Sequence, residues 1–86
     1  MSQYQLQNAK RQDVIYGYDR VTGYFIQVHG KGGMLVVDRS SSLDGLTGSE
    51  LVDVAEQNGV TLPEEHMLCA MLDLPLGEWN PLLVGQ

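Results

Sequence analysis

Tyr16-Gly17-Tyr18-Asp19-Arg20-Val21-Thr22-Gly23-Tyr24-Phe25 holds four of the six aromatic residues of this 86-residue chain. Aromatic and β-branched residues flank a short polar stretch that closes on a glycine, the pattern of two strands joined by a tight turn. Gly23 can take the positive φ that such a turn needs. On the C-terminal side, Tyr24 to His29 alternates, with Tyr24, Ile26 and Val28 on one face and Phe25, Gln27 and His29 on the other. Gly30-Lys31-Gly32-Gly33 turns the chain again. Met34 to Asp38 then reads as a strand apolar on both faces, which predicts a central or covered position. On the N-terminal side, Val14 to Tyr18 forms the first arm of the hairpin. Asn8 to Gln12 is a polar loop. Tyr4 and Leu6 alternate with Gln3, Gln5 and Gln7, as in a half-buried edge strand. Connections this short make neighbouring strands antiparallel.

The second half changes period. Arg39 to Gly45 reads as a serine-rich loop. Thr47-Gly48-Ser49-Glu50 fits a capping box, with the Thr47 hydroxyl taking the Glu50 amide and the Glu50 carboxylate reaching back. The helix it opens runs to about Asn58 and stops at Gly59. Leu51, Val54 and Ala55 share its apolar face. Pro63 suits the first turn of a second helix, with Glu64 and Glu65 near its positive end. Met67, Leu68, Met71 and Leu72 form the predicted buried stripe, and Pro75 ends the helix. The expected fold is α+β: an antiparallel sheet of three or four strands from the N-terminal half, packed against two C-terminal helices. Residues 1–75 form the single domain, and residues 76–86 form an apolar tail carrying Trp79, Leu82 and Leu83.

Composition narrows the function classes. Eighty-six residues with 43% apolar content fit one globular domain. A single cysteine, Cys69, precludes an intrachain disulfide and fits a reducing compartment. No apolar run of about 18 residues exists to span a membrane, and the polar N-terminus lacks the blocks of a signal peptide. A cytoplasmic location is therefore expected. The net charge is −6, unevenly distributed. All five cations (Lys10, Arg11, Arg20, Lys31, Arg39) precede residue 40, accompanied by three acids. The eight remaining acids follow with no cation among them. Phosphate affinity needs several cations on one face, so direct nucleic-acid binding is not expected.

Candidates for chemistry are few, and each has a plainer reading. His66, Cys69 and Asp73 fall at helical spacing, but a structural zinc site usually brings two clear ligand pairs. Cys69 reads more simply as a small buried group and His66 as a solvated one. A Cys69 nucleophile would need a dipole or a cation that the sequence does not place there. Gly30-Lys31-Gly32-Gly33 lacks the spacing of a phosphate-binding loop and leads into a strand, not a helix. Paired acids such as Glu64-Glu65 show no sign of the burial that would shift a pKa. No catalytic residue, metal ligand or cofactor site is expected, and the chain does not read as an enzyme.

Tyr16-Gly17-Tyr18-Asp19, the following Tyr24-Phe25 and the late Asp73-Leu74-Pro75 resemble a scattered group of small, functionally uncharacterised bacterial proteins, often encoded on plasmids or other mobile elements. The resemblance covers most of residues 13 to 75. The Gly30–Gly33 turn and the apolar tail fall outside it. It implies no activity and no site, and its accessory-genome setting favours an interaction or inhibitory role. The reading is a non-enzymatic protein-interaction module whose protein partner is unidentified, with a homodimer as one option. Its candidate anchors are Trp79, Leu82, Leu83, Tyr16, Tyr18 and Tyr24, because Trp and Tyr are the usual anchors of interfaces. The alternative is an acidic inhibitor whose helical face, bearing Glu50, Asp53, Glu56, Glu64 and Glu65, occupies a basic nucleic-acid-binding groove on a partner.

Overall fold

Four consecutive strands form an antiparallel meander in the computed structural model, which describes residues 2–76. Strands β1 (Ser2–Gln7), β2 (Asp13–Asp19), β3 (Gly23–His29) and β4 (Leu35–Ser40) lie in the sheet in chain order. Three helices follow: the single turn α1 (Ser41–Asp44), then α2 (Gly48–Gln57) and α3 (Glu64–Met71). The fold is α+β, as the change of period implies.

Each turn is built by its own side chains. Asn8 Oδ1 accepts from the Lys10 and Gln12 amides, both at 3.0 Å, and shapes the β1–β2 loop. Asp19 Oδ1 accepts from the Val21 amide at 2.8 Å, and Gly23 closes the central hairpin with φ +74°. A Cβ at Gly23 would also strike the Ser41 side chain, so the site requires glycine on two counts. The Arg39–Gly45 stretch is more ordered than a loop. Ser40 caps α1 by accepting from the Leu43 amide at 3.2 Å.

Strand alternation decides the core. Val14 and Tyr16 on β2, with Tyr24, Ile26 and Val28 on β3, point to one face of the sheet and are buried. There they meet Leu51, Val52, Val54 and Ala55 of α2, Cys69 and Ala70 of α3, and Leu46, Val60, Leu62 and Leu76 from the connections. The opposite sheet face carries Ile15, Phe25 and Gln27, which are only half-buried. The predicted capping box is present, with Thr47 Oγ1 accepting from the Glu50 amide at 3.2 Å and Glu50 Oε1 accepting from the Thr47 amide at 3.3 Å.

Two expectations need correction. The first concerns α3, whose inward residues are Cys69 and Ala70; Met67 and Leu68 are half-buried, and Met71 and Leu72 are exposed. The cause is close helix packing. A Cβ at Gly48 of α2 would collide with the backbone carbonyl of Ala70, so only small residues fit where the two helices meet. The second concerns β4, which is not central and whose start is left uncovered by the described residues. As the last strand of a meander it is an edge, and Leu35 and Val36 are exposed.

Candidate functional site

Among the described residues, the edge of β4 is the most distinctive surface. An edge strand presents unpaired amide and carbonyl groups along one side, a template for another strand. Native edges are usually blunted by charge. The C-terminal part of β4 follows that rule with Asp38 and with Arg39, whose Nε donates to Asp44 Oδ2 at 2.9 Å and whose guanidinium lies 3.6 Å from Glu50. The N-terminal part does not. Met34, Leu35 and Val36 are 70%, 47% and 52% exposed. The register shifts here, with Val28 opposite Val37 and His29 opposite Leu35, so Val36 has no partner residue on β3. The other edge, β1, carries exposed Gln3, Gln5 and Gln7. The two edges of the sheet thus differ, one amide-coated and one apolar.

A second cluster lies between sheet and helices. The Tyr16 hydroxyl and His66 Nδ1 are 2.6 Å apart. We assign the proton to the hydroxyl, which reaches no other acceptor among the described residues, so Nδ1 accepts and the ring proton sits on Nε2. The His66 ring stacks on Tyr4 at a centroid distance of 4.0 Å. Burial pushes Tyr16 up to about 12, with Tyr4 adding to the shift. Burial also lowers the His66 pKa, against an opposing pull from Glu65. Tyr24 is likewise raised to about 12, first by burial and then by Asp73, and its hydroxyl donates to the Leu74 carbonyl at 2.8 Å. Each of these perturbed groups ties a strand to the helical layer. Such shifts mark functional sites and structural ties alike, and here each group already has an internal partner.

A shallow cleft of about 210 Å³ lies between the β1–β2 loop and the end of α2. Its amides answer one another: Asn8 Nδ2 donates to the Asn58 carbonyl at 2.8 Å and to Gln12 Oε1 at 2.9 Å, and Asn58 Nδ2 donates to the Val54 carbonyl at 2.7 Å. The cleft is smaller than most small-molecule sites. Among the described residues, no group of three His, Cys, Asp or Glu side chains is placed to hold a metal ion. No helix among them is long and apolar enough to cross a membrane.

The residues singled out from sequence separate into three sets. Tyr16 and Tyr24 are core residues, and Tyr18 is half-buried with its ring 5.2 Å from that of Tyr24. Alternation turns all three toward the helices, so Tyr16 and Tyr24 are not exposed anchors. Trp79, Leu82 and Leu83 lie outside the described residues. Glu50, Asp53, Glu56, Glu64 and Glu65 are all exposed, and Glu50 is held by Arg39 and by the cap. Met34, Leu35 and Val36 were missed as a surface because apolarity on both strand faces signals burial. A usable signal was present in the connections. A run of hairpins makes its last strand an edge, and the change of period after Arg39 marks β4 as that last strand. No family model, curated protein or solved structure matches the chain.

Proposed function

We propose that this chain is a non-enzymatic protein-interaction module that binds by adding a strand to β4. The observation that carries the reading is the exposed Met34-Leu35-Val36 segment at a sheet edge, with no further strand beside it among the described residues. Strand addition draws affinity from main-chain hydrogen bonds and specificity from alternate side chains, and this edge supplies both. Met34, Leu35 and Val36 are adjacent at one strand edge, which makes them a contiguous apolar patch rather than scattered exposure. The non-enzymatic part of the reading is supported by the internal engagement of Tyr16, Tyr24 and His66 described above.

The test is affinity capture from extracts of the native host, read by mass spectrometry, with wild-type chain and Val36→Lys as paired baits. The expected result is a defined protein retained by the wild type and lost with Val36→Lys. Equal recovery of a specific protein on both baits, or none on either from a chain that also fails to self-associate, would reject the reading.

A further inference from the structure

We propose that the strand added to β4 is the β4 of a second copy of this chain, paired antiparallel about a two-fold axis near Val36. This rests on the strand-addition reading and names its partner. Three observations favour a second copy. The first is symmetry: an isologous contact needs one patch that complements itself. An axis through Val36 sets Leu35 of each copy across from Val37 of the other and the two Val36 side chains across from one another. The exposed Val36 side chains then meet each other, and the exposed Leu35 of each copy meets the half-buried Val37 of the other.

The second is charge. The turn leading into β4 carries Lys31, while the far end carries Asp38, Asp44 and Glu50 around the single cation Arg39. The segment is mildly positive at its start and negative at its end. Antiparallel self-pairing lays the positive start of each copy along the negative end of the other. Parallel pairing would set like against like. The third is the contrast between edges. β1 faces outward with glutamines at alternate positions, so head-to-tail addition of β1 to β4 would leave the apolar segment against amides. The self-pairing of β4 does not.

The contact is small. Three partly exposed side chains fall well short of the roughly 800 Å² per partner of a standard stable interface. Self-association is therefore weak, reversible and concentration-dependent.

Sedimentation equilibrium of the full chain, from low micromolar to millimolar concentration, tests this. The expected result is a weight-average mass that climbs from one chain toward two. Val36→Lys sets two ammonium groups at the axis and should hold the mass at one chain. Val36→Thr, which keeps the β-branched shape, serves if the lysine variant loses its native circular dichroism, and should weaken the dimer. Lys31→Glu should weaken it about two- to fivefold, the range of a surface ion pair. Contacts between Val36 methyls of differently labelled copies should appear in isotope-filtered NMR. A mass of one chain at every concentration, or a dimer indifferent to both the Val36 and the Lys31 changes, would overturn the proposal. The capture experiment separates the two failures. A monomer that still retains a Val36-dependent partner overturns self-pairing alone, and a monomer that retains nothing overturns strand addition as well.

Discussion

Tyr16 and His66 show how a single polar contact can govern a helix. The phenol is fully buried, and a buried hydroxyl without a partner costs about 1–3 kcal/mol. His66 answers it from the first turns of α3 and covers Tyr4 with its ring. With a neutral imidazole Nδ1 accepts the phenolic proton; protonating Nδ1 would reverse the contact and leave the buried hydroxyl proton without an acceptor among the described residues. The lowered pKa of His66 agrees with this, and it carries a definite sign. A histidine whose folded pKa lies below its ordinary 6.5 binds more protons when unfolded. Its contribution is complete above about 6.5 and is lost as pH falls through the lower folded value. Urea midpoints should accordingly drop as pH is lowered from neutrality, and His66→Gln should remove the part of the drop nearest 6.5. NMR titration of the His66 ring should give a midpoint below the ordinary histidine value of 6.5. Tyr16→Phe, which keeps the ring and deletes the hydroxyl, should cost about 1 kcal/mol. An unchanged pH profile in His66→Gln would contradict this account.

At the level of elements, the start of α2 joins a local device to a long-range one. Thr47 and Glu50 cap the helix reciprocally, and Thr47→Ala should cost about 1 kcal/mol. Gly48 stands one residue further on and behaves differently. In an exposed helix, alanine in place of glycine gains up to about 1 kcal/mol. Here the added methyl would drive into the Ala70 carbonyl, and backbone cannot step aside as a side-chain tip can. Gly48→Ala should therefore lower stability by about 1–3 kcal/mol, read as a fall in thermal midpoint against wild type. The same pair explains what could be read from sequence. The capping box, the alternation of β3, the turn at Gly23 and the edge pattern of β1 depend on neighbours a few residues away, and each was legible. The inward face of α3 depends on how closely α2 approaches it. That approach selects Cys69 and Ala70 over the larger Met71 and Leu72, and no spacing rule within α3 reports it. The exposed face of β4 was hidden similarly, since apolar side chains look the same in sequence whether a domain covers them or a partner does.

On the scale of the whole molecule, three of the polar ties between the sheet side and the helical layer are long in sequence. Asn8 reaches the Asn58 carbonyl, Tyr16 reaches His66, and Tyr24 reaches the Leu74 carbonyl, each across fifty residues of chain. They are spread over the sheet, from the β1–β2 loop through β2 to β3. The apolar core is shared in the same way, with β2 and β3 on one side and α2 and α3 on the other. Between the halves stands Gly45, exposed and left-handed, where α1 ends. Peptides 1–45 and 46–86 made separately should each lack cooperative unfolding, and mixing them should restore it; a sheet peptide that folds unaided would refute the shared-core account. The seam at Gly45 thus offers a place to divide the protein into two inert pieces. Fused to separate baits, those pieces would report on proximity by regaining structure only in each other's company.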